Sequence, residues 1–538
     1  MSNTTDRSVS QSHGQGYLAL VLHAHLPYVR HLEYDDALEG RWLFEAITET
    51  YVPLLLLFDK LIEDKIDFRL TMSISPTLAA MLADPFLKSR YLKRLELLIQ
   101  LSQNEIIRTK AHHEFNELAL FYQQYLMKVH DAFLNRYDKN LVQAFKRLQD
   151  LGKVEIIASA ATHGYLPLLA ANSSAVRAQI RIGIKHYQQL FDRNPKGFWL
   201  PELGYCSELD KLLAEQSIGY TILETHGVTR SKPRPEYGGY APISCPAGTI
   251  AFGRDPDASR QVWSTEGGYP GDYDYREFYR DIAYDLDYEY IRPYIHHDNI
   301  RTDTGFKYYR ITGNTDQKAI YVPEVARQKA VQHAEHFIAS RLKQIDYLNA
   351  VMDRPPIIVA PYDAELFGHW WFEGPIWLDS LIRQVSQQQD KISLVTLSEY
   401  LDEYPENQTV SPSASSWGHN GSHETWLNER NDWIYPHLHH GAQVMERLAR
   451  NHPQAEGLTL RALKQAAREL LLAQASDWAF MINSGKMSDY ATRRTNTHLM
   501  QFRRLEREID NQSIDERWLT MIEYRNNIFP HIDYRAFC

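Results

Sequence analysis

Three groups of residues in this sequence have the types and spacing to do chemistry. His23-Ala24-His25 sets two imidazoles two positions apart, so an extended strand carries both on one face. That arrangement suits a metal site completed by His163, and it equally suits histidines hydrogen-bonded at a crowded strand end. No HExxH motif or cysteine ligand cluster accompanies them, so no metal is expected. Trp199-Leu200-Pro201-Glu202 presents one carboxylate behind an aromatic and a proline that fix its approach, although a lone strand-end glutamate also serves as a salt-bridge partner. The run from Pro361 to Pro375 embeds Asp363, Glu365 and Glu373 among Tyr362, Phe367, Trp370, Trp371 and Phe372. Aromatic burial raises a carboxyl pKa and makes a proton donor near neutral pH. Asp363 and Glu365 share a strand face, and the residues alone do not choose between them. Two carboxylates from separate strands, one anionic and one protonated, are the equipment of a retaining glycosidase, which holds them about 5 Å apart.

Each of these groups follows a short apolar run. Leu18 to Leu22 leads into His23 and His25, Phe68 to Ile74 into Ser75, Val154 to Ala161 into His163, and Gly197 to Leu200 into Glu202. Tyr220 to Leu223 leads into Glu224 and His226, Thr249 to Phe252 into Arg254, and Ile357 to Ala360 into Asp363. Helical patterns separate many of these strands, which implies a parallel sheet. Chemistry at successive strand ends is the arrangement of an α/β barrel, with an open doubly wound sheet as the alternative. Between the second and third strands, Phe115, Leu118, Tyr122, Tyr125, Val129 and Phe133 recur at helical spacing, so residues from about 84 to 150 form a helical insertion. A polar stretch from Pro405 to Ser416 reads as a linker after a last strand near Ser393 to Leu397, and the pattern beyond it is helical. The expected units are a tail over 1–16, a barrel over 17–404, the linker over 405–416 and a helical domain over 417–538.

The composition narrows the function further. With 44% hydrophobic and 23% charged residues the chain is an ordinary globular one. A net charge of −10 without a basic block disfavours nucleic acid and leaves a neutral substrate as the better fit. No apolar run approaches the roughly 20 residues of a membrane-spanning helix. The polar start from Met1 to Gly16 has no apolar core, and Cys206, Cys245 and Cys538 show no CxxC spacing, so a cytoplasmic protein with free thiols is expected.

In order along the chain, HAHLPY at His23–Tyr28, ATHGYLPLL at Ala161–Leu169, WLPE at Trp199–Glu202, FGRD at Phe252–Asp255, APYDAELFGHWWFEG at Ala360–Gly374 and SSWG at Ser415–Gly418 resemble glycoside hydrolase family 57. Together with QVWSTEGGYPGDYDYREFYRD at Gln261–Asp281, they are most similar to its 1,4-α-glucan branching enzymes. The resemblance implies an incomplete (β/α)7 barrel with a helical insertion and a helical C-terminal domain over the barrel mouth. It implies Glu202 as nucleophile and Asp363 as general acid/base, acting without a cofactor on an α-glucan such as amylose or a glycogen-like polymer. His23, His25 and His163 would then bind sugar hydroxyls instead of a metal, and Arg254, Gly271, Trp417 and Asp477 would contact substrate. It also implies a loop over the mouth with a tyrosine near its tip, here Tyr237, with Tyr240 as the second candidate. Stacked on the acceptor glucan, that ring would keep water from the covalent intermediate and favour transfer.

Three other functions remain open on the residues alone. An α-amylase or 4-α-glucanotransferase would use the same carboxylates, a metal-dependent hydrolase or deacetylase would use His23, His25 and His163, and a non-catalytic glucan-binding protein would keep only the pocket.

Overall fold

The computed structural model describes residues 15–32, 38–264, 267–296 and 300–538. Of the expected tail, residues 1–14 lie outside the described residues, while Gly16 already opens the first strand. The strands are β1 (Gly16–Ala24), β2 (Leu70–Ile74), β3 (Val154–Ser159), β4 (Gly197–Trp199), β5 (Tyr220–Leu223), β6 (Ile243–Ser244), β7 (Ile250–Gly253), β8 (Ile357–Asp363) and β9 (Ile392–Leu394). β1 pairs in parallel with β8 on one side and β2 on the other, and β3, β4, β5 and β7 continue the sheet in parallel. The ends meet through the bridge of Arg254 to Val359, with the Asp255 N–H donating to the Val359 carbonyl at 2.8 Å. So sparse a closure makes the barrel the incomplete (β/α)7 type, and β6 and β9 are short additions, antiparallel to β7 and parallel to the start of β1.

Side-chain alternation explains why the sheet curls. Along β1, Tyr17, Ala19 and Val21 join Ile157, Trp199, Tyr220, Ile222, Phe252, Ile357 and Val359 in a core inside the barrel. Leu18, Leu20 and Leu22 join the larger core beneath the surrounding helices. A strand buried on both faces needs cover on both, and closure supplies it.

Parallel pairing also aligns the ends of the strands. His23 pairs with Asp363 and with Ser73, and Ser159 pairs with Trp199, so the histidine pair, Asp363 and the WLPE segment emerge on one face. The stretch between β2 and β3 contains the helices Pro85–Thr109, His113–Asp131 and Leu141–Asp150, the first capped by Asp84 and the last by Asn140. The helix His113–Asp131 buries Leu118, Tyr122 and Val129 as their spacing predicts.

The Pro405–Ser416 stretch is pinned rather than loose. It bridges Ser244 through Thr409, Lys232 through Ser411 and Tyr205 through Ser415, and so climbs the barrel to deliver Trp417. The helices Ile434–Asn451, Gly457–Ala473, Ser476–Ser484, Ser488–Asp510 and Glu516–Arg525 follow. Among the described residues no helix is long and apolar enough to cross a membrane.

Candidate active site

Glu202 stands immediately after β4 in a left-handed backbone conformation, φ 61° and ψ 20°. A non-glycine residue held there costs on the order of 1–3 kcal/mol and persists only where its surroundings fix it. The surroundings are C-terminal: the Trp417 backbone N–H donates to the Glu202 carbonyl at 3.1 Å, and the Trp417 indole N–H donates to Glu202 Oε2 at 2.8 Å. The Ser476 hydroxyl donates to Oε1, also at 2.8 Å. His163, at the end of the β3 segment, has φ 56°, and its carbonyl accepts the Ser476 backbone N–H at 3.0 Å. Trp417 and Ser476 thus clamp both strained turns of the barrel mouth.

Asp363 ends β8 opposite His23 and receives no hydrogen-bond donor among the described residues. Burial pushes its pKa well up, and the nearby Glu365 and Glu202 carboxylates push it further, against the pull of His25 and Arg254. Burial also raises the Glu202 pKa, but the bonds from Trp417 and Ser476 favour its anion and partly offset that rise. Of the two carboxyls, Asp363 has the surroundings that favour the protonated form more strongly. Glu365 is committed elsewhere: it is buried, and it accepts the Tyr51 hydroxyl and, at 3.1 Å, the His25 backbone N–H. Asp363, by contrast, is partly exposed.

The histidines form a stack. His25 and His163 lie with centroids 3.7 Å apart and planes 17° apart, and His23 stacks on Trp199 at 4.3 Å. His25 Nδ1 meets Ser75 Oγ at 2.9 Å and Nε2 meets Asp477 at 3.1 Å. Burial works against a charge on His25, yet Asp477, Glu202 and Glu365 outweigh it and raise its pKa. His25, His163 and Asp477 do bring ligand-type atoms within 4.8 Å of one another. They do not fit a metal as they stand. Lone pairs of stacked imidazoles lie in nearly parallel planes and do not converge on one ion at about 2.0–2.1 Å. The nitrogens are also taken, His163 Nδ1 by Ser476 and His163 Nε2 by His23, both at 3.0 Å. Activity is accordingly expected to survive exhaustive treatment with EDTA; a loss that zinc restores would reinstate the metal hydrolase.

Arg254 reaches the same face. Its guanidinium donates to Glu224 Oε2 at 2.8 Å and to Ser259 Oγ at 2.7 Å, and lies 5.8 Å from the centre of the Trp417 ring. Trp417 also approaches Trp263, which meets Trp370, so an aromatic wall extends from the nucleophile. Ser476, Glu224, Trp263 and Trp370 had no role assigned from the sequence, although Glu224 ends an apolar run, Trp263 and Trp370 lie in the quoted motifs and Ser476 precedes Asp477.

Two further expected contacts, Gly271 and Tyr237, lie in turns between the strands. Gly271 belongs to the turn Tyr269–Gly271, and that turn is pinned to the helix Pro323–Asn349: Tyr269 stacks on His333 at 4.5 Å and bonds His336 at 2.8 Å. Tyr237 is not over the mouth. Its hydroxyl bonds Asp353, just before β8, and the Tyr240 carbonyl accepts the N–H of Ile357, the first residue of β8. Asp363 is six residues further along that strand, roughly 20 Å away at about 3.3 Å per residue. The loop after β5 descends the barrel to start β6, which is why its prolines and glycines marked a loop but not its end of the barrel.

Comparison with known proteins gives the family. The model of glycosyl hydrolase family 57 matches residues 19–412, and that of the 1,4-alpha-glucan branching enzyme C-terminal domain matches 437–537. A 1,4-alpha-glucan branching enzyme of Thermococcus kodakarensis is 33% identical over 96% of this chain and 77% of its own length. Among solved structures, the GH57-type branching enzyme of Pyrococcus horikoshii superposes with TM-score 0.87 at 34% identity, covering 97% of each chain. The alpha-amylase AmyC of Thermotoga maritima superposes with TM-score 0.91 at 43% identity, covering 97% of this chain and 99% of its own. With its barrel and its C-terminal helices both matched, the chain is an enzyme that belongs to glycosyl hydrolase family 57 and carries the C-terminal domain of that family's 1,4-alpha-glucan branching enzymes.

Proposed function

We propose that this enzyme branches 1,4-α-glucan by retaining glycosyl transfer, with Glu202 as nucleophile and Asp363 as general acid/base. The observation that carries the proposal is the asymmetry of the two carboxyls: Glu202 takes two hydrogen bonds that favour its anion, and Asp363 takes none. Glu202 attacks the anomeric carbon, the glycosidic bond breaks, and the Asp363 proton goes to the departing oxygen. Asp363, now a carboxylate, removes the proton of a glucan 6-hydroxyl as that oxygen displaces Glu202, giving an α-1,6 branch. Asp477, Trp417 and Arg254, with the partly exposed His25, supply polar edges and an aromatic face for the sugars around the scissile bond. In this reading Tyr237, held by Asp353, contributes no contact to that centre. We infer too that the chain divides into a barrel over 17–404 and a helical domain over 417–538, and that it works in the cytoplasm, where its three free cysteines would stay reduced.

A second outcome, hydrolysis, needs only water in place of the 6-hydroxyl. Its support is the position of Tyr237, which leaves that ring unable to keep water from the intermediate, and the likeness to the alpha-amylase AmyC. The ratio of α-1,6 linkages formed to reducing ends released from amylose decides between them. Branching predicts more linkages than ends; ends alone would make the enzyme an amylase. Tyr237→Ala is expected to leave this ratio unchanged within about twofold, as for surface positions remote from a site. A selective loss of linkages in Tyr237→Ala would bring the loop to the mouth after all.

A further inference from the structure

The hydrogen bonds around the nucleophile have only one consistent direction. Glu202 acts as an anion, and a carboxylate has no hydrogen to give, so the Ser476 hydroxyl donates to Oε1 at 2.8 Å. That spends its one hydrogen. At 3.0 Å from His163 Nδ1 the hydroxyl oxygen must then accept, which places the His163 hydrogen on Nδ1. Burial and the neighbouring His25 hold His163 and His23 in their neutral forms, their pKa values well below the ordinary one. A neutral imidazole carries one hydrogen, so His163 Nε2 is bare and accepts from His23 Nε2–H at 3.0 Å. His23 Nδ1 must then be bare as well, and it is the one nitrogen of the group that is buried without a partner.

We infer that Ser476 is the positioning residue of the nucleophile, the last link of a one-way chain running from His23 through His163 and Ser476 to Glu202 Oε1. Oε2 is fixed by the Trp417 indole, so each carboxylate oxygen is aimed by a group C-terminal to the barrel. The chain also explains why His23 and His163, placed around the scissile bond, are neutral: protonation of His163 Nε2 would set two donors against each other at 3.0 Å and break the link.

The backbone and the hydroxyl of Ser476 do separate jobs, and that makes the inference testable. Its N–H bond to the His163 carbonyl at 3.0 Å survives in Ser476→Ala, so the helix stays docked while the hydroxyl alone is lost. The inference rests on the proposed glycosyl transfer, and the assay uses the full chain with amylose. Ser476→Ala should lower kcat about 10- to 100-fold, the worth of one hydrogen bond to a charged group, with KM changed less than about threefold. Losing a donor that favours the Glu202 anion raises its pKa, so the acid limb of the rate profile should move to higher pH. Ser476→Thr, which keeps the hydroxyl, should restore most of the rate and the limb. An unshifted limb with wild-type kcat in Ser476→Ala overturns the inference alone, and equal damage in Ser476→Ala and Ser476→Thr reduces the residue to packing. Should Ser476→Ala fail to fold, Ser476→Cys, similar in shape and a weak donor, carries the same expectation. A wild-type enzyme that cleaves no α-glucan overturns the functional proposal and this inference together.

Discussion

Glu202→Gln is expected to keep the fold and to lower glycosyl transfer from amylose by about ten-thousandfold or more, the scale of loss when a group driving the covalent step is removed. That loss corresponds to about 5 kcal/mol of transition-state stabilisation. The side-chain volume hardly changes, and the backbone bond from Trp417 to the Glu202 carbonyl is untouched. What goes is the anion. With the amide oxygen turned to the Trp417 indole, the NH2 faces the Ser476 hydroxyl, whose oxygen can accept from it, so what is lost is the hydroxyl's bond to an anion, about 1 kcal/mol of stability. A modest fall in melting temperature with loss of turnover is therefore the expected pair of measurements. Glu202→Ala separates nucleophile from structural anion: azide entering its vacated face should trap a β-glycosyl azide from an α-linked donor. Near wild-type turnover in Glu202→Gln, or an α-azide from Glu202→Ala, would remove Glu202 as nucleophile.

Why some of this site is legible in the sequence and some is not follows from the range of the interactions. Strand ends are local: His23, His163, Glu202, Arg254 and Asp363 each terminate an apolar run, and a parallel barrel aligns such ends without further information. Asp363 and Glu365 could not be separated, because alternation gives both the same face, whereas the bond that sets Glu365 apart comes from Tyr51, more than 300 residues away in sequence. Ser476 and Trp417 reach Glu202 across 274 and 215 residues, contacts set by how the C-terminal helices dock. Tyr237 failed for the opposite reason. Its loop chemistry was read correctly, but prolines and glycines record that the chain turns, not whether it turns toward the mouth or toward the start of β8. The linker at Pro405–Ser416 was polar enough to read as free, yet its bridges to Ser244, Lys232 and Tyr205 tie it down through backbone groups that side-chain polarity does not report.

Asp363→Asn is expected to lower kcat on amylose by about a hundred- to ten-thousandfold, the usual contribution of a placed proton donor. The loss should be much smaller for the first step with a glycosyl fluoride, because fluoride departs without a proton. The pH profile carries the sign. In the wild type, burial and the Glu365 and Glu202 carboxylates hold the Asp363 pKa far up, so the required acid form is present below that value and activity is lost as pH rises through it. Glu202 must be ionised, so activity is lost on the other side, as pH falls through its own raised pKa. In Asp363→Asn the alkaline limb should disappear, and only the acid limb should remain. The same neighbour lets Asp363 change roles. Once Glu202 is an ester it carries no charge, its repulsion of the Asp363 carboxylate ends, and the Asp363 pKa falls just when the reaction needs a base. An alkaline limb that persists unchanged in Asp363→Asn would assign the proton to another group, with Glu365, buried beneath it on the same strand end, the first to examine.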